Sequence, residues 1–298
     1  MKTKFIFTTA VMVLALALMT SQARAVMVGK FTQAMLLPFL YQDMATGEKT
    51  VVGLDIHYPL ADPANSDVRS AGAPAKVTWW VHDANGVLLG SYTWTDPNVV
   101  AGQPRDDVYL PVDFGLNYTG TGYVVFAVDM DNNGDVYGAS KATISGNAFY
   151  ARPANGDAVY VPVIQLYVTD VAAQGQPRSI MGGIHAAAGK TVVMKFWQDS
   201  SAGADTKGVI FSTGAIPQTG LLYTASADGT NVAINNSAIK GRMAFFDFGK
   251  DMTPAIPDQT DGFVRMDLSQ ASGDIVMFTM TNSTALNATQ TLLGMEER

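Results

Sequence analysis

The chain has 298 residues, with 19 Lys and Arg against 26 Asp and Glu, a net charge of −7 at pH 7 and no cysteine. An acidic surface of this kind excludes general affinity for nucleic acid or anionic lipid, both of which repel it. Without thiols there are no disulfides, no thiol catalysis and no lipid attachment at an N-terminal cysteine.

Among the acids only Glu48, Glu296 and Glu297 are glutamate. Asp favours turns and helix ends where Glu favours helix interiors. Together with 28 Gly, this composition points to an all-β chain.

Lys2 and Lys4 precede an apolar run from Phe5 to Met19, and Ala23-Arg24-Ala25 closes it with small residues in the pattern that signal peptidase reads. Residues 1–25 are thus expected to be a secretory signal peptide, with Val26 the mature N-terminus. The run is shorter than the roughly 18–20 residues that cross a bilayer as a helix. The expected product is exported, to a periplasm or beyond the cell, and is not an integral membrane protein after cleavage.

Val26–Leu40 is apolar and would be free at the mature N-terminus, a candidate strand for addition to a neighbour's sheet. The clearest hairpin is Lys76–Trp94: Val77, Trp79 and Val81 face one side, Thr78, Trp80 and His82 the other, and Asp83-Ala84-Asn85-Gly86 reverses the chain. Further strands are expected at Thr50–His57, Val108–Val112, Gly122–Asp129, Ala158–Val168, Lys190–Gln198, Gly208–Ser212, Arg242–Phe248, Gly262–Leu268 and Asp274–Thr281. Pro162 makes Ala158–Val168 an edge strand or bulges it, because proline cannot donate to a ladder.

The order of these segments echoes between the halves. Val77–Asp83 resembles Val193–Asp199, and Gly122-Tyr123-Val124 resembles Gly262-Phe263-Val264. The expected fold is an antiparallel β-sandwich, similar to immunoglobulin-like sandwiches at the level of class alone, in two tandem domains, 26–157 and 158–298.

Asp129, Asp131, Asn133 and Asp135 place oxygen ligands around the turn at Gly134. The spacing resembles the first half of EF-hand calcium loops, with Asp129, Asp131 and Asn133 at the first, third and fifth places. The twelfth place, normally a bidentate Glu, is Ser140. Two readings stand: a Ca²⁺ site with another closing ligand, or an acidic Asn-Gly hairpin tip.

Adjacent Trp79 and Trp80 must point to opposite faces of one strand. At most one is then buried in a sandwich, while the other meets solvent, a loop, a partner domain or a ligand. Trp80 with His82 is the candidate ligand-binding pair. His57, His82 and His185 show no metal-ligand spacing, and no G-x-S-x-G elbow is present. The chain therefore reads as a non-enzymatic surface, structural or binding component. The alternatives are a carbohydrate- or ligand-binding module that uses exposed aromatics, a self-assembling filament subunit, and a secreted hydrolase. The expected partners are further copies of the chain or a cell-surface glycan.

Overall fold

A computed structural model describes residues 32–57, 75–96, 108–112, 114, 118–130, 142–153, 156–286 and 288–296. The expected signal peptide lies outside them, as do Asp131, Asn133 and Asp135. The chain is all-β, and every described ladder is antiparallel. No helix among the described residues is long and apolar enough to cross a membrane.

The first sheet contains β1 (Ala34–Gln42), β2 (Lys49–His57), β3 (Lys76–Asp83), β4 (Leu88–Thr95), β5 (Val108–Val112), β6 (Gly120–Val128), β7 (Thr143–Arg152), β8 (Asp157–Val161) and β9 (Ile164–Leu166). Its order is β4-β3-β6-β1-β2-β7-β8, with β5 on β2 and β9 on β1.

The sheet curls back on itself. β1 and β2 share one ladder pair, Gln42 with Lys49, beyond which β1 pairs with β9 and β2 with β5. Because β8 pairs with β7 while β9 pairs with β1, the chain from Asp157 to Leu166 joins β7 back to β1 and closes the circuit. Pro162 stands where the strand changes partner, so its missing N–H interrupts no ladder. Pro38 is accommodated in the same way, by a register shift between Leu37 and Leu40.

Ala34–Leu40 is interior, paired along β6 and covered on both faces. These residues are therefore unavailable to a neighbouring sheet, which corrects the donor-strand reading for them; Val26–Phe31 lies outside the described residues.

The remaining strands are β10 (Ile184–His185), β11 (Thr191–Gln198), β12 (Ala204–Ser212), β13 (Thr219–Thr224), β14 (Asp228–Ile234), β15 (Ile239–Lys240), β16 (Met243–Asp247), β17 (Met252–Thr253), β18 (Thr260–Asp267), β19 (Asp274–Ser283), β20 (Ala288–Leu293) and β21 (Met295–Glu296). The second sheet runs β10-β19-β12-β16-β15 with β20 on β19, and the third runs β17-β14-β13-β18-β11-β21.

Alternation along the second sheet makes it a middle layer. Val209, Phe211, Met243, Val276 and Phe278 join the core of the first sheet, while Ile210, Ala244, Phe246, Ile275 and Met277 join that of the third. A strand buried on both faces reads as an unbroken apolar run, as Ile275-Val276-Met277-Phe278 does. Each fully buried phenyl ring contributes roughly 2–3 kcal/mol through removal from water.

The expected boundary between residues 157 and 158 falls within the first sheet. Asp157 opens β8, both β8 and β9 belong to the first sheet, and Phe31–Arg298 forms one compact unit. The physical reason is that the second sheet has two apolar faces and needs the first sheet to cover one of them. The echo between the halves has only a partial counterpart. β3 pairs with β6 and β11 with β18, but Asp83 lies opposite Gly122 whereas Phe196 lies opposite Gly262.

Candidate functional site

Trp80 and His82 lie on the face of β3 that turns towards the second sheet, and both are fully buried. Trp79, on the opposite face, is also buried, stacked against Tyr92 and tilted against Phe126. The expectation of an open tryptophan is thus met by a loop: the turn at Ala172–Gln176 crosses Trp80, and a Cβ on Gly175 would sit 2.6 Å from its ring. Gly175 has φ +70°, so the turn needs glycine both for its conformation and for this close approach. No ring face of Trp80 is left for a ligand, which removes the Trp80–His82 surface from consideration.

The same junction strains the chemistry of His82. Its ring stacks on Tyr123 at 4.7 Å, and neither ring nitrogen has a hydrogen-bond partner among the described residues. Burial, reinforced by the charge of Arg242, pulls its pKa down to about 4, although main-chain groups of Gln174 and Trp80 and the carboxylate of Asp83 favour the charged form. Tyr123 in turn donates to Gln176 Oε1 at 3.0 Å, and Gln176 Nε2 donates to the Gly86 carbonyl at 3.0 Å. Burial raises the Tyr123 phenol to about 12. His82 is therefore held neutral as part of a packed latch between the hairpin turn and the 172–176 turn.

Of the expected calcium ligands only Asp129 is described. It is buried at the end of β6 with φ 55°, and its Oδ1 accepts the Lys76 N–H at 3.1 Å while its own N–H donates to the Lys76 carbonyl at 2.7 Å. That arrangement pins β6 to the start of β3. Among the described residues no three metal-ligating side chains gather.

Among the described residues, a dense charged group lies on the second sheet. Lys207 and Asp247 face each other across β12 and β16, and Lys207 Nζ also reaches Asp205 Oδ2 at 2.7 Å. Burial opposes both charges. For Lys207 it is outweighed by Asp205 and Asp247, which raise the ammonium pKa; for Asp247 it is outweighed by Lys207, which lowers the carboxyl pKa. Both partners stay ionised, so this is a fixed ion pair rather than a proton-sharing one.

An open aromatic surface does exist, on the third sheet. Val192, Met194, Phe196, Leu222, Val264 and Met266 point into the core, so Val193, Trp197, Leu221, Tyr223 and Phe263 must lie on the other face. Each of these is half-buried. Tyr223 is paired with Phe263, and their rings stack at 4.9 Å and 15°. Lys195 lies opposite Phe263, Trp197 lies opposite Asp261, and Arg265 sits between Val193 and Leu221. Arg265 Nε donates to Thr191 Oγ1 at 3.3 Å. The sequence places Trp197, Tyr223 and Phe263 on separate strands, and only the strand register brings them together.

Comparison with protein-family models, curated proteins and solved structures finds no match for this chain.

Proposed function

We propose that this is an exported, non-enzymatic surface or binding component whose ligand-contacting surface is the outer face of the third sheet, and that the ligand is a carbohydrate. The observation that carries this reading is the stacked Tyr223–Phe263 pair, fixed on the solvent side of a rigid sheet with Trp197 beside it. Two rings that stack on each other are already ordered, so a ligand has little side-chain entropy to remove on binding. Aromatic surfaces accept the C–H face of a sugar ring, and Lys195, Asp261 and Arg265 place charged hydrogen-bonding groups at the rim, where sugar hydroxyls would lie. Export rests on the leader-like residues 1–25, and N-terminal sequencing of the exported protein should begin at Val26.

The binding test is retention on insoluble polysaccharides together with a glycan array, comparing the native protein with Trp197→Ala and with Tyr223→Ala/Phe263→Ala. Loss of at least about tenfold in affinity is expected in each variant, which is the weight of one aromatic contact. A native protein that binds no glycan, or variants that bind as the native protein does, would refute the reading.

A further inference from the structure

A row of unpaired backbone donors and acceptors on a sheet edge is a template for another strand, and proteins ordinarily blunt such edges with charge, proline, bulges or covering segments. Most edges here are treated in this way. β5 carries Pro111. On β8 the carbonyls of Ala158 and Tyr160 accept the hydroxyls of Thr289 and Thr291 from β20, so these two strands shield each other. β14 opens on Asp228 and is paired at its far end by β17. The outermost strands β10, β15, β17 and β21 have two residues each.

β4 differs. It is an outermost strand of the first sheet, its eight residues, Leu88-Leu89-Gly90-Ser91-Tyr92-Thr93-Trp94-Thr95, include no charge and no proline, and no described strand pairs its outer side. Two apolar side chains stand exposed at its start, Val87 and Leu89. On an acidic chain of net charge −7, copies repel each other over most of their surface. An uncharged edge is where that repulsion is least.

We propose that β4 is a self-association edge, at which two copies of the chain pair their β4 strands antiparallel about a two-fold axis and so continue the first sheet from one copy into the other. An extended strand is the partner that unpaired main-chain N–H and C=O groups recognise, and lack of charge makes β4 a suitable partner for itself. A two-fold centred on Ser91 keeps equivalent faces together. It sets Leu88 opposite the partner's Trp94 and Gly90 opposite the partner's Tyr92 on the half-buried side, where a large ring covers the glycine. On the exposed side it sets Leu89 opposite the partner's Thr93. Because the contact is isologous, it closes at a dimer and does not propagate into a filament.

One strand pair is a small interface, so the dissociation constant should be on the order of 10–100 µM. Sedimentation equilibrium of the native protein from about 5 to about 500 µM should show a reversible monomer–dimer equilibrium across that range. Leu89→Lys/Ser91→Lys changes two exposed side chains and places like charges opposite one another at position 91. It should abolish the dimer while leaving the melting temperature unchanged. Since the chain has no cysteine, Ser91→Cys provides a second readout: under mild oxidation it should form a disulfide-linked dimer, and Thr230→Cys, exposed on β14, should not. A native protein that stays monomeric throughout overturns the proposal, whether or not the edge accepts a strand from another protein. A dimer that survives the double lysine variant overturns it as well, because the interface then lies elsewhere. If that variant fails to fold, equal cross-linking at positions 91 and 230 overturns the proposal and selective cross-linking at 91 upholds it.

Discussion

Acidification should unlatch the junction around His82, and the size of the effect follows from its burial. The ring pKa falls from 6.5 in an unfolded chain to about 4 in the fold. Between those values the unfolded chain binds a proton that the folded one does not, so stability falls as pH falls. The contribution is fully present above 6.5 and is lost progressively as pH drops through 4. At 1.36 kcal/mol per pKa unit, the loss from this one group is about 2 kcal/mol near pH 5 and about 3 kcal/mol near pH 4. His82→Phe isolates the term from the carboxylates that also titrate there. It keeps an aromatic ring against Tyr123 and removes two buried nitrogens that have no partner, each costing on the order of 1 kcal/mol. Urea unfolding at pH 7, 5 and 4 should show the variant at least as stable as the native protein at pH 7. By pH 4 it should be more stable by about 3 kcal/mol. If the two proteins lose stability in parallel from pH 7 to 4, the ring is not held neutral by burial and the reasoning fails.

Gly175→Ala should destabilise by roughly 2–4 kcal/mol in thermal or urea unfolding, combining a left-handed non-glycine residue with overpacking against Trp80; an unchanged midpoint would show that the 172–176 turn does not press on that ring. Asp247→Asn should cost about 2 kcal/mol, because Lys207 keeps only Asp205. As the Asp247 pKa is lowered on folding, the native advantage over this variant should be complete above the ordinary carboxyl range and shrink as pH falls through and below it, read from unfolding free energies at a series of pH values. Asp129→Asn should lower the melting temperature equally in millimolar calcium and in EDTA, since the role seen is acceptance of the Lys76 N–H; a calcium-dependent rise in the native protein that this variant loses would support the cation reading instead.

Strand alternation was readable wherever apolar residues alternate or run together between turn residues. Every segment expected to be a strand overlaps one, and Pro162 marks a true interruption. β7 escaped notice because Gly146-Asn147 reads as a turn; in the fold Gly146 lies where a Cβ would come within 3.2 Å of Met35 Cε. β13, β14 and β20 are short or polar, and their pattern alone does not separate them from loops. The layering was out of reach for a different reason. A run such as Ile275–Phe278 announces burial on both faces, but nothing local in it says which sheets supply the cover. The same limit governed the aromatic residues. Trp80 was traceable to a face of β3, yet the loop across it comes from nearly a hundred positions away, and the stacking of Tyr223 on Phe263 depends on a register that no local motif encodes.

The middle position of the second sheet has a consequence for how the chain is made. β1–β9 leave the ribosome first and can complete their own ladders, but the face that receives Phe211, Phe245 and Phe278 stays uncovered until β12, β16 and β19 have been synthesised. Strands of the second and third sheets then alternate along the chain, so neither sheet is complete before β20 and β21 arrive at the C-terminal end. A polypeptide stopped short of β19 carries an apolar sheet face with nothing to bury it against, the kind of surface that holding chaperones bind and that aggregates when they are absent. β19, which supplies side chains to both cores, thus decides whether the apolar faces made before it are covered.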